Sequence, residues 1–212
     1  MDNKIFLYTV IVFVLMISAS VYLFPAQKIV QSNSVREAPL VKNTKFALLD
    51  GERYVYLYNV SASNNSFIIL YNIKKGINCT AIEIQGTLNR TFACVDQFGN
   101  DRTYNNYTLK DQFFYVFAPW MLAIDNTWNW SVESEYSLAM GSVITNRIDL
   151  ISEGNDTTLG RSAYRIRLEL GQGKTRQTFY RWIDQEKRVL LRETGPGYKI
   201  DLVQAPFNVS KE

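Results

Sequence analysis

Ser162-Ala163-Tyr164-Arg165-Ile166-Arg167-Leu168-Glu169-Leu170 is the stretch that decides the architecture. Tyr164, Ile166, Leu168 and Leu170 share one parity; Arg165, Arg167 and Glu169 share the other. Successive side chains of a strand point to opposite faces, so a period of two builds a strand with one buried and one wet face. Such strands are typical of antiparallel sheets, whereas parallel strands are buried on both sides and lose the alternation. On the N-terminal side, Trp128 to Leu138 alternates in the same way, with apolar residues mainly at even positions. Further β-rich runs cover 53–60, 66–73, 142–151, 177–183, 188–193 and 198–203. Turn chemistry separates them at Lys75-Gly76, Glu153-Gly154-Asn155-Asp156, Gly171-Gln172-Gly173, Asp184-Gln185-Glu186-Lys187 and Gly195-Pro196-Gly197. The fold class read from this pattern is mainly β: an antiparallel open half-barrel or strongly curved sheet with at most one or two short helices.

One segment departs from the alternation. Thr108 to Phe117 reads as a helix capped by Thr108, with Asp111 in its first turn and Pro119 at its end. Its aromatic content suits a strand equally well. Together with Trp120, Met121, Leu122, Trp128 and Trp130 it makes the most apolar stretch of the domain, expected to pack into the concave side of the sheet or to plug its mouth. Phe113, Phe117, Trp120, Trp130, Tyr164 and Ile166 are the candidate ligand-contacting residues. Core packing accounts for the same residues without any ligand.

Residues 5–24, IFLYTVIVFVLMISASVYLF, hold 20 positions without a charge. A helix rising ~1.5 Å per residue needs about 20 apolar residues to cross a bilayer core. The run is longer than the roughly 7–15 apolar residues of a cleaved leader, although Ser18 and Ser20 have the spacing of a cleavage site. The reading is a single transmembrane helix within an N-terminal membrane anchor, 1–26. A polar stalk, 27–44, and one antiparallel β ectodomain, 45–212, follow. Lys28, Arg36, Lys42 and Lys45 after the span slightly favour a cytoplasmic C-terminal part. Long domains translocate largely regardless of their charge, and two other signals place the domain outside.

The first is a set of eight N-x-S/T triplets, beginning at Asn59, Asn64, Asn78, Asn89, Asn106, Asn129, Asn155 and Asn208. The chain has 17 Asn, and about one residue in eight is Ser or Thr, so chance supplies roughly two. The triplet is the acceptor for N-glycosylation of exported chains. The second signal is the cysteine pair. Gly86-Thr87 suits a type II′ turn between two β-rich runs. In that register Cys79 falls directly opposite Cys94, close enough for a disulfide, as an exporting compartment favours. The expected localisation is the plasma membrane, single-pass, with the C-terminal domain outside the cell.

Chemistry is sparse. The chain has no histidine, which removes the usual Ser-His-Asp and Cys-His systems, and two cysteines do not close a zinc site. Gly171-Gln172-Gly173-Lys174 lacks the second half of either phosphate-loop pattern. Asp184 with Glu186, and Glu133 with Glu135, are the close carboxylate pairs on credible strands; turn formation and a solvated face account for them. Asp96, Asn100 and Asp101 do not keep EF-hand spacing. The expectation is no enzyme, no cofactor, no metal and, at a net charge of +3 without an aromatic-basic motif, no nucleic acid.

Nine basic residues crowd into the 32 positions from Arg161 to Arg192. They form either a cationic face or a solvated, edge-protecting one. Within the β ectodomain, residues 162–204 also lie in the longest stretch without an acceptor triplet. Arg165 and Arg167 are therefore the candidate partner face, turned to a cell-surface partner or to the membrane.

The C-terminal half, with its Gly-Arg turn at Gly160-Arg161, its Trp182-Ile183-Asp184 strand end and its basic return strand ending in Arg192-Glu193, resembles the closing section of lipoprotein-carrier (Lol-type) half-barrel envelope proteins. The resemblance covers about residues 120–204. It implies a curved antiparallel sheet whose hollow holds lipid or a plug, without catalysis. Two functions from different classes follow. One is a non-catalytic module that binds an apolar ligand or lipid. The other is a structural or protein-interaction surface glycoprotein with no small ligand. A carboxylate-based hydrolase is a distant third.

Overall fold

A computed structural model describes residues 34–37, 40–61, 63, 65–85, 90–96, 116–137, 143–171 and 176–210. The expected anchor at 5–24 lies outside these residues, and among the described residues no helix is long and apolar enough to cross a membrane. Contacts divide the chain into two compact units, Met1–Val35 with Ser134–Thr145, and Arg36–Glu133 with Asn146–Glu212. The core lies in the second.

The chain is mainly β, as the alternation requires. The strands are β1 (Ser34–Glu37), β2 (Arg53–Val60), β3 (Asn65–Lys75), β4 (Thr80–Gln85), β5 (Arg90–Val95), β6 (Asn129–Ser137), β7 (Val143–Thr158), β8 (Arg161–Leu170), β9 (Gln177–Asp184), β10 (Leu190–Gly195) and β11 (Tyr198–Gln204). They form one antiparallel sheet, ordered β1-β6-β7-β8-β9-β10-β11-β2-β3-β4-β5, which does not close. β8 pairs with β9 so that Ile166 faces Arg181 and Leu168 faces Phe179, while Arg165 faces Trp182. Directly opposed residues share a face. Ile166, Leu168 and Ile183 therefore belong to the core face, and Arg165, Arg167, Tyr180 and Trp182 to the outer face. The core face continues through Ile200 and Leu202 of β11, Tyr54 and Tyr56 of β2, Tyr71 and Ile73 of β3 and Ile82 of β4, all buried in one cluster. Burying such side chains contributes about 1.5–3 kcal/mol each.

Three local expectations change. First, Glu153-Gly154-Asn155-Asp156 is not a turn. β7 runs through it with a register shift between Ser152 and Asn155, and Gly154 takes a φ of 99°. An extra residue in one strand is absorbed as a bulge, which glycine accommodates without a Cβ clash. The turn comes at Leu159-Gly160, where both residues have positive φ, as a two-residue hairpin of matching twist requires. Second, Pro119 opens a helical turn, and the helix expected before it lies, up to residue 115, outside the described residues. Pro119–Ala123 is a 3-10 turn with Pro at its start, the position where a missing N–H costs nothing. It is the one helical element among the described residues.

Third, β4 and β5 pair with Ala81 opposite Cys94 and Ile84 opposite Thr91, two residues away from the register that a Gly86-Thr87 turn would set. A slip of two leaves every side chain on its face, so alternation does not distinguish the registers. The disulfide forms all the same, with Cys79 and Cys94 5.6 Å apart at Cα. Cys79 sits just before β4, in a turn where the Gly76 N–H donates to the Cys79 carbonyl at 2.7 Å. A Cβ on Gly76 would lie 2.9 Å from that oxygen, so the site takes glycine.

Candidate functional site

The core face is covered by a plug, Val116 to Ile124. Val116, Phe117, Ala118, Trp120, Met121, Leu122 and Ile124 are all buried in the same cluster as the strands. Its carbonyls are capped from two directions. Asn43 and Thr44 both donate backbone N–H groups to Leu122 O, and their side chains add bonds to Leu122 and Ala123 carbonyls. Arg188, held at a φ of 56°, donates Nη1 to Ile124 O at 2.9 Å and lies 4.8 Å from the Tyr164 ring centre. Trp120, Trp128 and Trp130 stack in series, at 5.8 Å and 6.5 Å between centres. Of the six candidate ligand-contacting residues, Phe117, Trp120, Trp130 and Ile166 are buried and Tyr164 packs against them. Phe113 lies outside the described residues. The five that are described come together as one packed group.

Beneath the plug sits a charged pair that the sequence reading missed. Arg181 Nε donates to Glu193 Oε2 at 2.5 Å, and Tyr198 OH donates to Glu193 Oε1. The two charged side chains are 10% and 3% exposed, and the guanidinium lies 5.9 Å from the Trp120 ring centre. Arg181 shares parity with Phe179 and Ile183 on β9, while Tyr180 and Trp182 face out. With aromatics on both faces, the strand gives no period-two signal for the direction of Arg181. Tyr54 and Tyr56 are also inside; burial raises both phenols well above their ordinary range, so they stay neutral.

Apart from the buried Arg181 and Arg188, the described arginines of this segment lie toward the outer face, and carboxylates answer them. Arg165 and Arg167 both meet Glu153, at 3.1 Å and 3.0 Å. Arg167 also bonds Glu169, which in turn bonds Arg176. Arg192 pairs with Asp201 at 2.6 Å, and Arg161 holds Asp184 and Glu186. The hydrogen bond to Asp184 is the main cause that raises the Arg161 guanidinium above its ordinary value. Among the described residues the outer face is thus not a cationic field: Arg161, Arg165, Arg167, Arg176 and Arg192 are threaded through carboxylates of β7, β8, β9 and β11 and of the β9–β10 turn. Arg165 additionally stacks 4.7 Å from the Tyr180 ring centre and 5.6 Å from that of Trp182. Trp182 Nε1 donates to Asp156 at 2.7 Å. That bond first, and the Thr157 N–H second, hold the Asp156 carboxyl below the usual carboxylate range.

Beside this platform runs an apolar groove of about 490 Å³, lined by Leu57, Ile68, Leu202, Val203 and Val209 among others. It follows the C-terminal tail, whose Ser210 N–H donates to Leu159 O and whose Phe207 lies under Arg161.

Of the two carboxylate pairs, Asp184 and Glu186 meet on one guanidinium, that of Arg161, and the Glu135 side chain lies outside the described ones. Asp184 is fully buried and accepts from Arg161 and from the N–H groups of Glu186 and Lys187, while Glu186 is exposed. Of the acceptor asparagines, Asn78, Asn129, Asn155 and Asn208 are exposed and Asn59 is half-buried; Asn64, Asn89 and Asn106 lie outside the described residues. Gln185 donates to Asn155 Oδ1, which leaves the attachment nitrogen out of that bond.

No protein-family model matches the chain, and no curated protein matches it. Among solved structures, it is similar to a Bacteroides fragilis protein, inferred to be exported, with a YmcC-like fold. The two are 9% identical over 77% of this chain and 99% of that one, with a TM-score of 0.39.

Proposed function

We propose that this chain is a single-pass, N-glycosylated protein of the plasma membrane, with its C-terminal domain outside the cell. Its β domain is a non-catalytic interaction module that contacts a protein partner through the outer face of β8–β11. The observation that carries this reading is the layout of acceptor triplets on the sheet. β8, β9, β10 and β11 hold none and lie side by side, while on the same face β6, beyond β7 on one flank, carries Asn129 and β2 on the other carries Asn59. Glycans at those positions would frame a bare window. The window displays Arg165, Tyr180, Trp182 and Arg192, of residue types that dominate binding energy at protein interfaces. Its charges are mutually compensated, which favours a protein partner over an anionic membrane or polymer.

In this reading the sheet wraps the plug as a half-barrel, as in the Lol-type resemblance. The plug takes the place that a lipid would have in a carrier, which is why the interaction role is preferred to lipid binding. The disulfide, an ordinary feature of exported domains, supports the compartment. The test is native mass spectrometry of the chain made in a glycosylating cell, before and after solvent extraction and glycan removal. Removable glycan mass with no extractable lipid is expected. A chain without glycan would sink the export reading. A reproducible extractable mass would return the function to a lipid carrier.

A further inference from the structure

We propose that the glycan on Asn129 is a seated one, its first sugar held against the outer face by Arg147, Asp149 and Arg176. This rests on the glycoprotein reading above and adds to it a specific binding seat for one of the chain's own modifications. The acceptor triplet Asn129-Trp130-Ser131 lines a groove of about 360 Å³ whose other wall includes Arg147, Asp149 and Arg176. Trp130 is buried, so Asn129 and Ser131, of opposite parity on β6, stand on the outer face. A sugar attached at Asn129 therefore begins inside the groove. Neither described groove has Asn59, Asn78, Asn155 or Asn208 itself in its wall, and of the Asn208 triplet only Val209 and Ser210 line the other groove.

The wall has the right chemistry. The first residue of such a glycan presents an acetamido carbonyl and ring hydroxyls, which accept from guanidinium N–H groups and donate to a carboxylate. Arg147 Nε donates to both oxygens of Asp149, at 2.9 Å and 3.1 Å, and Arg176 Nη2 reaches the same carboxylate at 3.3 Å. Asp149 thus meets two guanidinium groups before a sugar arrives, and Glu169 holds the second of them at the same Nη2. The bonds use Nε of one arginine and Nη2 of the other, so donors remain on both. Side chains already ordered by their own pairing lose little entropy on binding, and this preorganisation turns a groove into a seat.

The experiment uses the full chain made in a eukaryotic secretory cell. Site-resolved glycopeptide mass spectrometry follows enzymatic glycan release from the native protein over time. Release at Asn129 is expected to run about tenfold more slowly than at Asn78 and Asn208, the factor that one or two hydrogen bonds produce. In R147A/R176A it should approach those sites. Asn129 unoccupied while the others are occupied, or released as fast as they are, would overturn the seat and leave the glycoprotein reading standing. No occupied site at all would remove that reading itself. Unchanged protection in R147A/R176A would also overturn the seat. The wild-type comparison decides the matter even where the double variant does not fold.

Discussion

Removing one partner of the buried Arg181–Glu193 pair should nearly unfold the protein, whereas removing the whole polar group should not. In Glu193→Met the guanidinium of Arg181 stays under Trp120 with no counter-charge, and Tyr198 OH loses its acceptor. Stranding one half of a buried ion pair costs about 3–5 kcal/mol, against a total stability of roughly 5–15 kcal/mol for a domain. At the lower end it lowers the thermal midpoint by about 6–12 °C for a domain of this size. In R181M/E193M/Y198F the charges and the hydroxyl go together, and apolar side chains of similar volume fill the space. Such replacements are commonly neutral or stabilising by about 1–4 kcal/mol, so the triple variant should melt at or above the wild type. The assay is urea and thermal unfolding followed by tryptophan fluorescence. It reports directly on this region because Trp120, Trp128 and Trp130 stack within the plug and its neighbour strand. A Glu193→Met cost below about 1 kcal/mol would refute the reasoning, since a surface pair costs no more than that. A triple variant as unstable as the single one would refute it too.

Three further outcomes follow from the same geometry. Cys79→Ala with Cys94→Ala should lose about 3 kcal/mol in the chain-entropy account of a loop this long, read as a lower urea midpoint; an unchanged midpoint would mean that the hairpin holds itself. Trp182→Phe removes the principal donor that depresses the Asp156 carboxyl. A depressed carboxyl contributes stability above its unfolded pKa of about 3.9 and loses it as pH falls through the lower folded value. The gap between wild type and W182F should therefore be wider at pH 7 than near pH 2, and a constant gap would exclude the linkage. Thr178→Asn with Tyr180→Thr creates an acceptor triplet inside the bare window. Cross-linking of the partner on intact cells should fall by more than about tenfold, because an interface that buries aromatic anchors does not admit a sugar. Full retention would move the partner to another face.

The legible part of this fold was the part carried by parity. Ile166, Leu168, Trp130 and Val132 are buried where their alternation puts them, while Arg165 and Arg167 stand outside. Phe117, Trp120, Trp130 and Ile166, picked for their apolar chemistry, come together in one cluster. Whatever leaves parity unchanged was illegible. The two-residue slip between β4 and β5 is one case, and the bulge at Gly154 is another, because Gly-Asn-Asp has the same composition in a bulge as in a turn. Partners distant in sequence were illegible for a different reason. Arg165 and Arg167 read as a cationic cluster until Glu153, on a neighbouring strand, is set beside both.

That neutralisation bears on what the outer face can recognise. An unpaired arginine row would attract any polyanion over a Debye length of about 8–10 Å and discriminate poorly among them. Here each described arginine of the window already has a carboxylate, so an incoming anion must compete with a pairing already made. A ligand offering charge alone therefore gains little. The features that do not need to be broken are flat: the Arg165 guanidinium stacked on Tyr180 and Trp182, and the apolar groove beside Val203 and Ile68. Such a surface rewards complementary shape and penalises a mismatched charge. Binding to it should rest on buried area more than on salt concentration, which is the behaviour of a protein interface and not of a polyanion or headgroup site.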